Sequence, residues 1–548
     1  MSARSLLPLG AGLLLYALAF LYSVAYWAHQ HDEGITFDLA LARPSVGADW
    51  QDARPLHEHY AELEPAALDS TGEVLDLLWR GGSGQPHPPL YYLGLNAWAH
   101  VAGTGSLELR LPALLIGLGA ILGLYALGRR MAPHGSAPGW AALLLALSPW
   151  FVTITVFLRP YGQVLCIALW ASVFALRVAQ RDGERRAWVG FTLLSVAGLY
   201  TLYHYVFVLV WHGALILGSS FGLERAERVR RWRALAVCAL CVSLAFAPWL
   251  PALLRWTEGD SSSYHFTTGR LSAQQWPEEL SLLVRRLFLD QLAPHWLDRL
   301  LWPLLALSAG ALLVAGLRSR RSAHPLEVRS AWWSLPVLPA AALGTDALVG
   351  NHTFVYSKYS FLLLPLLLLS FAVAWSALAP RALGWAGLLV LVCFTASAGG
   401  ERLLERARSP SDYQRIAAAI AADDKPTHLF TPTVHRRGDR IALLLCLRDA
   451  GANQSWMTTG SLRRASGLWD VMRERSDLER ITFLRGYVPS RQRNRPREEP
   501  DLQQLLERAR RGGWRVLQRR MDNLSELGRG RRPLLLATGP AVATFFGR

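Results

Sequence analysis

The chain has little cysteine and little charge for its length. Only five of its 548 residues are cysteine and 18% are charged, whereas 52% are hydrophobic. Most of the cysteines fall in apolar runs, and the one close pair, Cys238 and Cys241, lies inside such a run. Neither a disulfide framework nor a zinc site is therefore indicated. The excess of apolar over charged residues excludes a soluble domain with a single anchor and predicts an integral membrane protein.

Long apolar runs recur up to about residue 400. The first has 22 uncharged residues, enough to cross a hydrocarbon core of about 30 Å at about 1.5 Å per residue. A secretory signal peptide is the alternative, but its apolar region would be shorter, and no small-residue cleavage site follows. We predict eleven spans: Leu6–Trp27, Leu111–Leu127, Trp140–Leu158, Tyr161–Leu176, Trp188–Tyr203, Tyr205–Phe221, Ala234–Leu254, Leu300–Leu317, Trp332–Val349, Phe354–Leu378 and Ala382–Ala398.

One weakly apolar segment, His87–Gly103, is not counted as a span. It contains Asn96 and His100, and its apolar run of about a dozen residues is typical of a helix that lies in the membrane interface. With a cytoplasmic N-terminus and without this segment, four arginine-containing loops fall on the cytoplasmic side, as the positive-inside rule requires. These loops are residues 129–130, 177–186, 225–233 and 318–329.

The same topology, with a cytoplasmic N-terminus and eleven spans, predicts which segments face the extracytoplasmic side. The first loop, about residues 28–108, and the short segments around Arg159, His204 and Lys358 all reach the extracytoplasmic face. Asp32 and Glu33 follow the first span directly, and Asp346 lies in the span before Lys358. Singly these charges have simple interpretations: a solvated helix exit, a snorkelling arginine, and an Asp346–Lys358 ion pair. Together the cations could bind an anionic headgroup while the acids act on an uncharged group.

The composition changes after residue 400. Apolar runs shorten to strand length, namely "HLFTP" (428–432), "RIALLLCL" (440–447) and "RPLLLATG" (532–539), between arginine-rich helical stretches. We predict a transmembrane domain at residues 1–400 and an extracytoplasmic α/β domain at residues 401–548. The latter has 29 Lys or Arg and 17 Asp or Glu, a net charge of +12. A cytoplasmic, nucleic-acid-binding tail is the alternative, but no recognition motif is present, so attraction to anionic lipids or acidic glycans is favoured.

Four motifs in order carry a resemblance to a known family. They are "HDEGITFD" after the first span, "HPPLYYLGLNAW" with the following "GSLELRLPALLIGLGAILGLYALGRR", then "LSPWFVTITVFLRPYG" and the late "SKYSFLLLPLLLL". Across roughly residues 6–378 the chain resembles the GT-C glycosyltransferases of the protein O-mannosyltransferase and aminoarabinose transferase type, the glycosyltransferase family 39-like proteins. The remaining tail is similar only in its placement. The resemblance implies a polytopic α-helical GT-C fold and transfer of a sugar from a polyprenyl-phosphate-linked donor.

The resemblance also implies roles for individual residues. Asp32 corresponds to the general base, with Glu33 as a helper, and Arg159 with Tyr161 lies near the lipid phosphate. The late Arg-Tyr pair of the family is Lys358-Tyr359 here, which keeps a cation but loses the bidentate fork of arginine. The possible accessory residues are His87, His204 and Asp346.

The chemistry fits these residue types. The polyprenyl phosphate leaves as an anion that cations stabilise, while a carboxylate takes the proton from the attacking hydroxyl or amine. One base opposite the leaving group predicts direct displacement with inversion. No cofactor is required. A divalent metal is possible but not predicted, and we interpret His57, His59 and His87 as loop-surface histidines rather than ligands.

Two other function classes stay open from the sequence. A transporter or lipid flippase would also have many spans, but its ionisable groups tend to lie near the midplane between mirrored repeats. A noncatalytic envelope assembly protein would not lose an activity when Asp32 is altered. For the enzyme we expect a multi-pass protein of the inner (plasma) membrane. Its expected partners are the lipid-linked donor and a lipid, glycan or protein acceptor, and not nucleic acid.

Overall fold

The structure is a computed structural model that describes a defined part of the chain. The described residues are 3–27, 31–41, 54–61, 63, 70–80, 87–133, 135–180, 184–258, 271–272, 274–290, 294–319, 335–349, 353–355, 358–378, 380–408, 414, 417–418, 421, 427–432, 437–452, 456–460, 480–485, 515–521 and 541–547.

Helices dominate the described residues up to 408, and one further helix lies after that point. The helices are α1 (Ala3–Ala25), α2 (His31–Ala40), α3 (Leu56–Ala61), α4 (Ser70–Arg80), α5 (Leu90–Ala102), α6 (Leu111–Met131), α7 (Ala137–Leu147), α8 (Pro149–Val156), α9 (Tyr161–Ala179), α10 (Glu184–Leu199), α11 (Tyr205–Ser220), α12 (Arg225–Phe246), α13 (Leu250–Glu258), α14 (Gln275–Leu289), α15 (His295–Ser319), α16 (Val337–Val349), α17 (Leu363–Ser376), α18 (Arg381–Arg408) and α19 (Arg437–Asp449). Short 3₁₀ turns lie at Glu108–Arg110, Ala247–Trp249 and Thr353–Val355.

The described strands form one mixed sheet. They are β1 (Arg54–Pro55), β2 (Thr427–Pro432), β3 (Trp456–Gly460), β4 (Arg480–Arg485), β5 (Arg515–Met521) and β6 (Ala541–Gly547), in the order β1-β3-β2-β4-β6-β5. Strands β3, β2 and β4 run parallel, while β1 and the pair β6 and β5 add antiparallel edges. The parallel strands need crossover connections rather than tight hairpins.

The chain divides into two compact units. The helical unit comprises Met1–Ala25, Leu78–Tyr91 and Arg110–Glu405, and the sheet unit comprises Tyr26–Leu77, Tyr92–Leu109 and Arg406–Arg548. The sheet unit thus draws on the first loop as well as on the C-terminal part of the chain. The predicted domain boundary at residues 400/401 stays a prediction.

The protein is a multi-pass membrane protein. Among the described residues, six helical segments are long and apolar enough to cross a membrane, and α7 with α8 forms a seventh if that bent pair is one span. The six are Leu6–Ala25, Glu108–Met131, Tyr161–Ala179, Arg225–Leu254, His295–Ala315 and Arg381–Arg408. Three shorter apolar helices are α11, α16 and α17. Every one of the eleven predicted stretches contains a helix, but eleven spans stay a prediction.

The predicted span at residues 140–158 is not one straight helix. It breaks between α7 and α8, which meet at a bend of 62°. Pro149 has no N–H to donate, and the Ser148 hydroxyl instead accepts from the Phe151 N–H at 3.3 Å, as a helix N-cap does. The bend directs α8 toward the link at residues 157–160.

One predicted strand is wrong. Residues 440–447, "RIALLLCL", lie in α19 rather than in a strand, and Ile441 to Leu447 are all buried. A short apolar run that is buried on every side carries no helical or strand periodicity, so the pattern could not separate the two. Strand β2 covers "HLFTP" as predicted, whereas "RPLLLATG" lies outside the described residues.

The sheet unit holds α2 and α5 together through a buried amide. Asn96 of α5 is fully buried, donates to the Ala40 carbonyl at 2.8 Å and accepts from the Thr71 hydroxyl at 3.1 Å. In the same unit α2 packs against α19. The polar residue that argued against a span at α5 is therefore used inside the protein.

Candidate functional site

Arg159 is buried in the link between α8 and α9. Its side chain is 4% exposed, and its Nη2 lies 3.3 Å from Nε2 of His87, which is 6% exposed. A guanidinium can only donate, so a hydrogen bond at this contact needs His87 Nε2 as its acceptor. Two predicted residues 72 positions apart are thus brought together within the helical unit.

Aromatic rings gather around Lys358. The Nζ atom lies 5.8 Å from the ring centroid of Tyr161 and 5.2 Å from that of Tyr359, within cation–π range. The two tyrosine rings meet edge to face at 6.1 Å, and Phe157 stacks on Tyr161 at 6.4 Å. Tyr161 is itself buried as the first residue of α9. We call Tyr161, Lys358, Tyr359 and His204 the lysine cluster.

His204 completes the lysine cluster from the loop between α10 and α11. Its ring stacks on Tyr359 with centroids 4.3 Å apart and an interplanar angle of 17°. Burial, and then the nearby charge of Lys358, lower the pKa of His204 to about 4. The ring is therefore neutral at pH 7, and Lys358 supplies positive charge to the cluster.

Asp346 fixes the segment that leads into the lysine cluster. Its Oδ2 accepts from the Phe354 N–H at 2.6 Å, and the Ser360 hydroxyl donates to the Phe354 carbonyl. The carboxylate is 7% exposed and thus holds the short turn at Thr353–Val355 from inside the protein. An ion pair between Asp346 and Lys358 stays a prediction.

The acidic pair lies in the sheet unit, at the start of α2. The side chain of Asp32 lies outside the described residues, but Glu33 is fully buried. Its Oε2 accepts from the Trp27 indole N–H at 2.9 Å, and the Arg406 guanidinium lies 4.5 Å from the centroid of the same indole. The interpretation of the pair as a solvated helix exit is therefore wrong for Glu33.

The interpretation of the histidines as surface residues is wrong in two of three cases. His57 is exposed, but His59 is fully buried, and so is most of His87. His59 lies three residues after the buried Leu56 and therefore on the same face of α3. Among the described residues, no three His, Cys, Asp or Glu side chains come together as metal ligands.

Sequence reasoning missed several charged residues that make contacts inside the helical unit. Arg110 is fully buried and donates through Nε to the Val156 carbonyl at 3.1 Å, at the end of α8. Asp290 accepts from the Thr153 hydroxyl at 2.8 Å and pairs with Arg402 at 2.8 Å. The arginine directly before the span at α6 was a usable signal for Arg110. No local pattern links Asp290 to Arg402.

The polytopic helical unit agrees with the fold that the resemblance to GT-C glycosyltransferases implies. Residues 86–251 match the family described as dolichyl-phosphate-mannose-protein mannosyltransferase. This range includes Arg159 and two members of the lysine cluster, Tyr161 and His204. No sequence among curated proteins matches the chain.

Two solved structures extend this likeness to the whole chain. The fold is similar to ArnT from Cupriavidus metallidurans bound to undecaprenyl phosphate, with 13% identity, a TM-score of 0.54, and coverage of 99% of this chain and 98% of that one. The apo state of ArnT from the same organism gives 13% identity, a TM-score of 0.50 and 98% coverage of both chains. The family match and the shared fold together confirm the resemblance to GT-C glycosyltransferases.

Proposed function

We propose that the protein is a membrane glycosyltransferase that moves a sugar from a polyprenyl-phosphate-linked donor to an acceptor at the extracytoplasmic face of the inner membrane. The observation that carries the proposal is a pair of cations in the helical unit: Arg159 is buried beside His87, and the half-buried Lys358 lies over the rings of Tyr161 and Tyr359. Buried cations lose their hydration, and an anionic ligand offsets that loss. The ArnT structure that was solved with undecaprenyl phosphate supports a donor of this kind.

In this proposal the two cations hold the phosphate that becomes the leaving group. Arg159 can form two parallel N–H bonds with phosphate oxygens, while Lys358 acts as a point charge. Tyr161 and Tyr359 hold the lysine ammonium in place through cation–π contacts. As the bond from the anomeric carbon to the phosphate oxygen breaks, the electron pair passes to the phosphate, and both cations stabilise its added charge.

Asp32 is the proposed base. Its carboxylate takes the proton from the acceptor hydroxyl or amine as that group bonds to the anomeric carbon on the face opposite the phosphate. One displacement of this kind inverts the anomeric configuration. Glu33 is buried and bonded to Trp27, which fits a helper that orients α2 better than a group that exchanges protons with the acceptor. The mechanism uses no cofactor, and a metal requirement is not part of it.

The first experiment names the substrates. Mass spectrometry of envelope lipids and glycans from cells with and without the protein identifies the sugar that disappears and the molecule that lacks it. Purified protein is then assayed with that polyprenyl-phosphate-linked sugar. Movement of the lipid across vesicle membranes without any sugar transfer would reject the enzyme in favour of a flippase.

The base is tested by Asp32→Asn, which keeps the shape of the side chain and removes the proton acceptor. We expect the transfer rate to fall by about 10²-fold to 10⁴-fold while expression and donor binding persist. Glu33→Gln should cost less. Glu73→Gln, at an exposed position of α4 in the same unit, is the matched control and should be unaffected. Normal rates in both the Asp32 and the Glu33 variants would end the proposal of an acidic base in α2.

A further inference from the structure

We infer that Trp27 and Arg406 are positioning residues that set the place of the acidic pair in α2. The inference rests on the proposed function and concerns residues that no sequence motif pointed to. Three side chains carry it, Glu33, Trp27 and Arg406, and all belong to the sheet unit.

The first step is the bond between Trp27 and Glu33. Glu33 has no exposed surface, and a buried carboxylate is costly unless a donor compensates it. The indole N–H can only donate, and it reaches Glu33 Oε2 at 2.9 Å. Because Trp27 precedes α2 and Glu33 is in its first turn, this bond fixes the direction in which the helix starts. Asp32 is bonded covalently to Glu33, so its backbone follows.

The second step is the contact between the Arg406 guanidinium and the face of the Trp27 indole. Arg406 places its guanidinium 4.5 Å from the Trp27 ring centroid and lies in the last turn of α18. The positive charge over the ring polarises the indole and strengthens its N–H as a donor. The end of α18 and the start of α2 are thereby joined through one tryptophan.

The third step is that α2 remains folded when the bond between Trp27 and Glu33 is lost. Its C-terminal end is held separately, because Asn96 donates to the Ala40 carbonyl and α2 packs against α19. Loss of the Trp27 bond therefore releases only the first turn. A displacement of about 1 Å in a reacting group can cost about 10²-fold in rate.

The test uses Trp27→Phe, which keeps a ring beneath Arg406 but removes the N–H. We expect kcat to fall by about 10-fold to 100-fold with the KM for the donor within about 2-fold. Arg406→Gln should act in the same direction, and Arg406→Lys should recover part of the rate. The matched control is Trp98→Phe, because that indole donates at 2.8 Å to the Glu108 carbonyl in the same unit and not to a residue of the acidic pair. It should leave the rate unchanged.

A double-mutant cycle separates positioning from general damage. If Trp27 acts through the acidic pair, Trp27→Phe should change the rate by less than about 2-fold in an Asp32→Asn background. An equal loss in both backgrounds would overturn the inference. Turnover by the unaltered protein tests the proposed function, so the two failures are distinguishable.

Hydrogen–deuterium exchange gives a readout that needs no activity. Amides at the start of α2, residues 31–36, should exchange faster in Trp27→Phe and at the normal rate in Trp98→Phe. Exchange at these amides that does not change in the Trp27 variant would also overturn the inference.

Discussion

Arg159 and Lys358 carry the same charge in different surroundings. Arg159 lies beside the Nε2 nitrogen of His87, whereas Lys358 lies over two tyrosine rings, one of which stacks on the His204 ring. A guanidinium recognises phosphate through a planar fork, and an ammonium does so as a compact charge. The two residues should therefore contribute to donor binding by different means.

Removal of either cation should weaken use of the donor. Charge-assisted hydrogen bonds contribute about 1.5–3 kcal/mol, so Arg159→Ala and Lys358→Ala should each raise the donor KM by about 10-fold or more. Lys358→Arg should keep much of the activity, since it restores the residue that the similar family commonly has. The measurement is initial rate against donor concentration, with Arg129→Ala as control because that side chain bonds the Pro133 carbonyl at an exposed position. Normal donor use by both alanine variants would contradict the phosphate role.

The residues of the candidate site could be predicted only in part. The resemblance to the GT-C family selected Arg159, Tyr161, Lys358 and Tyr359, and a charge in or beside a span is a usual mark of function. The partnership of Arg159 with His87 could not be predicted, since it is a tertiary contact between residues 72 positions apart. For Asp32 the role rests on sequence alone, as its side chain lies outside the described residues.

At the scale of elements, α18 lies unusually close to the end of α7. A Cβ added to Gly399 would lie 2.6 Å from the Leu147 carbonyl oxygen, which is a backbone atom that cannot rotate away. The neighbouring Gly400 has no atom within 4 Å of the same added Cβ. Gly399 therefore permits the close approach of α18 to α7, whereas Gly400 has room for a larger side chain.

This contrast makes a matched prediction. Gly399→Ala should force α7 and α18 apart and destabilise the protein by about 1–3 kcal/mol, the usual cost of overpacking. Gly400→Ala should be neutral or stabilise by up to about 1 kcal/mol, because alanine loses less backbone entropy in a helix. Thermal unfolding of the two variants in detergent compares them directly. Equal melting temperatures would show that the helices adjust without cost.

Helices that coincide with a long apolar run of the sequence were predicted, and the breaks within them were not. Each predicted span contains a helix because a long, mostly apolar run has few alternatives in a membrane. The bend at Pro149 depends on Ser148 as a cap, and the helix at residues 440–447 depends on burial by neighbours. Both are decided by tertiary contacts that a hydrophobic pattern does not contain.

At the scale of the molecule, the proposed orientation in the membrane rests on the distribution of the arginines. We expect a cysteine at Glu73 and one at Ala450, both exposed, to react with an impermeant reagent added outside the cell. A cysteine at Arg225, exposed at the start of α12, should react only after the membrane is opened. The background protein needs its five native cysteines replaced, since Cys241 and Cys393 are exposed. Labelling at Arg225 with protection at Ala450 would reverse the proposed orientation.

The sheet unit also has a consequence for biosynthesis. Strand β1 pairs Pro55 with Trp456, about 400 residues later in the chain. At about 5–20 residues per second a ribosome needs roughly 20–80 s to make that interval. During this time α2 has been made but α19, against which it packs, has not. The proposed base is thus among the first residues translated and among the last to be held in its folded surroundings, which delays activity until nearly the whole chain is in the membrane.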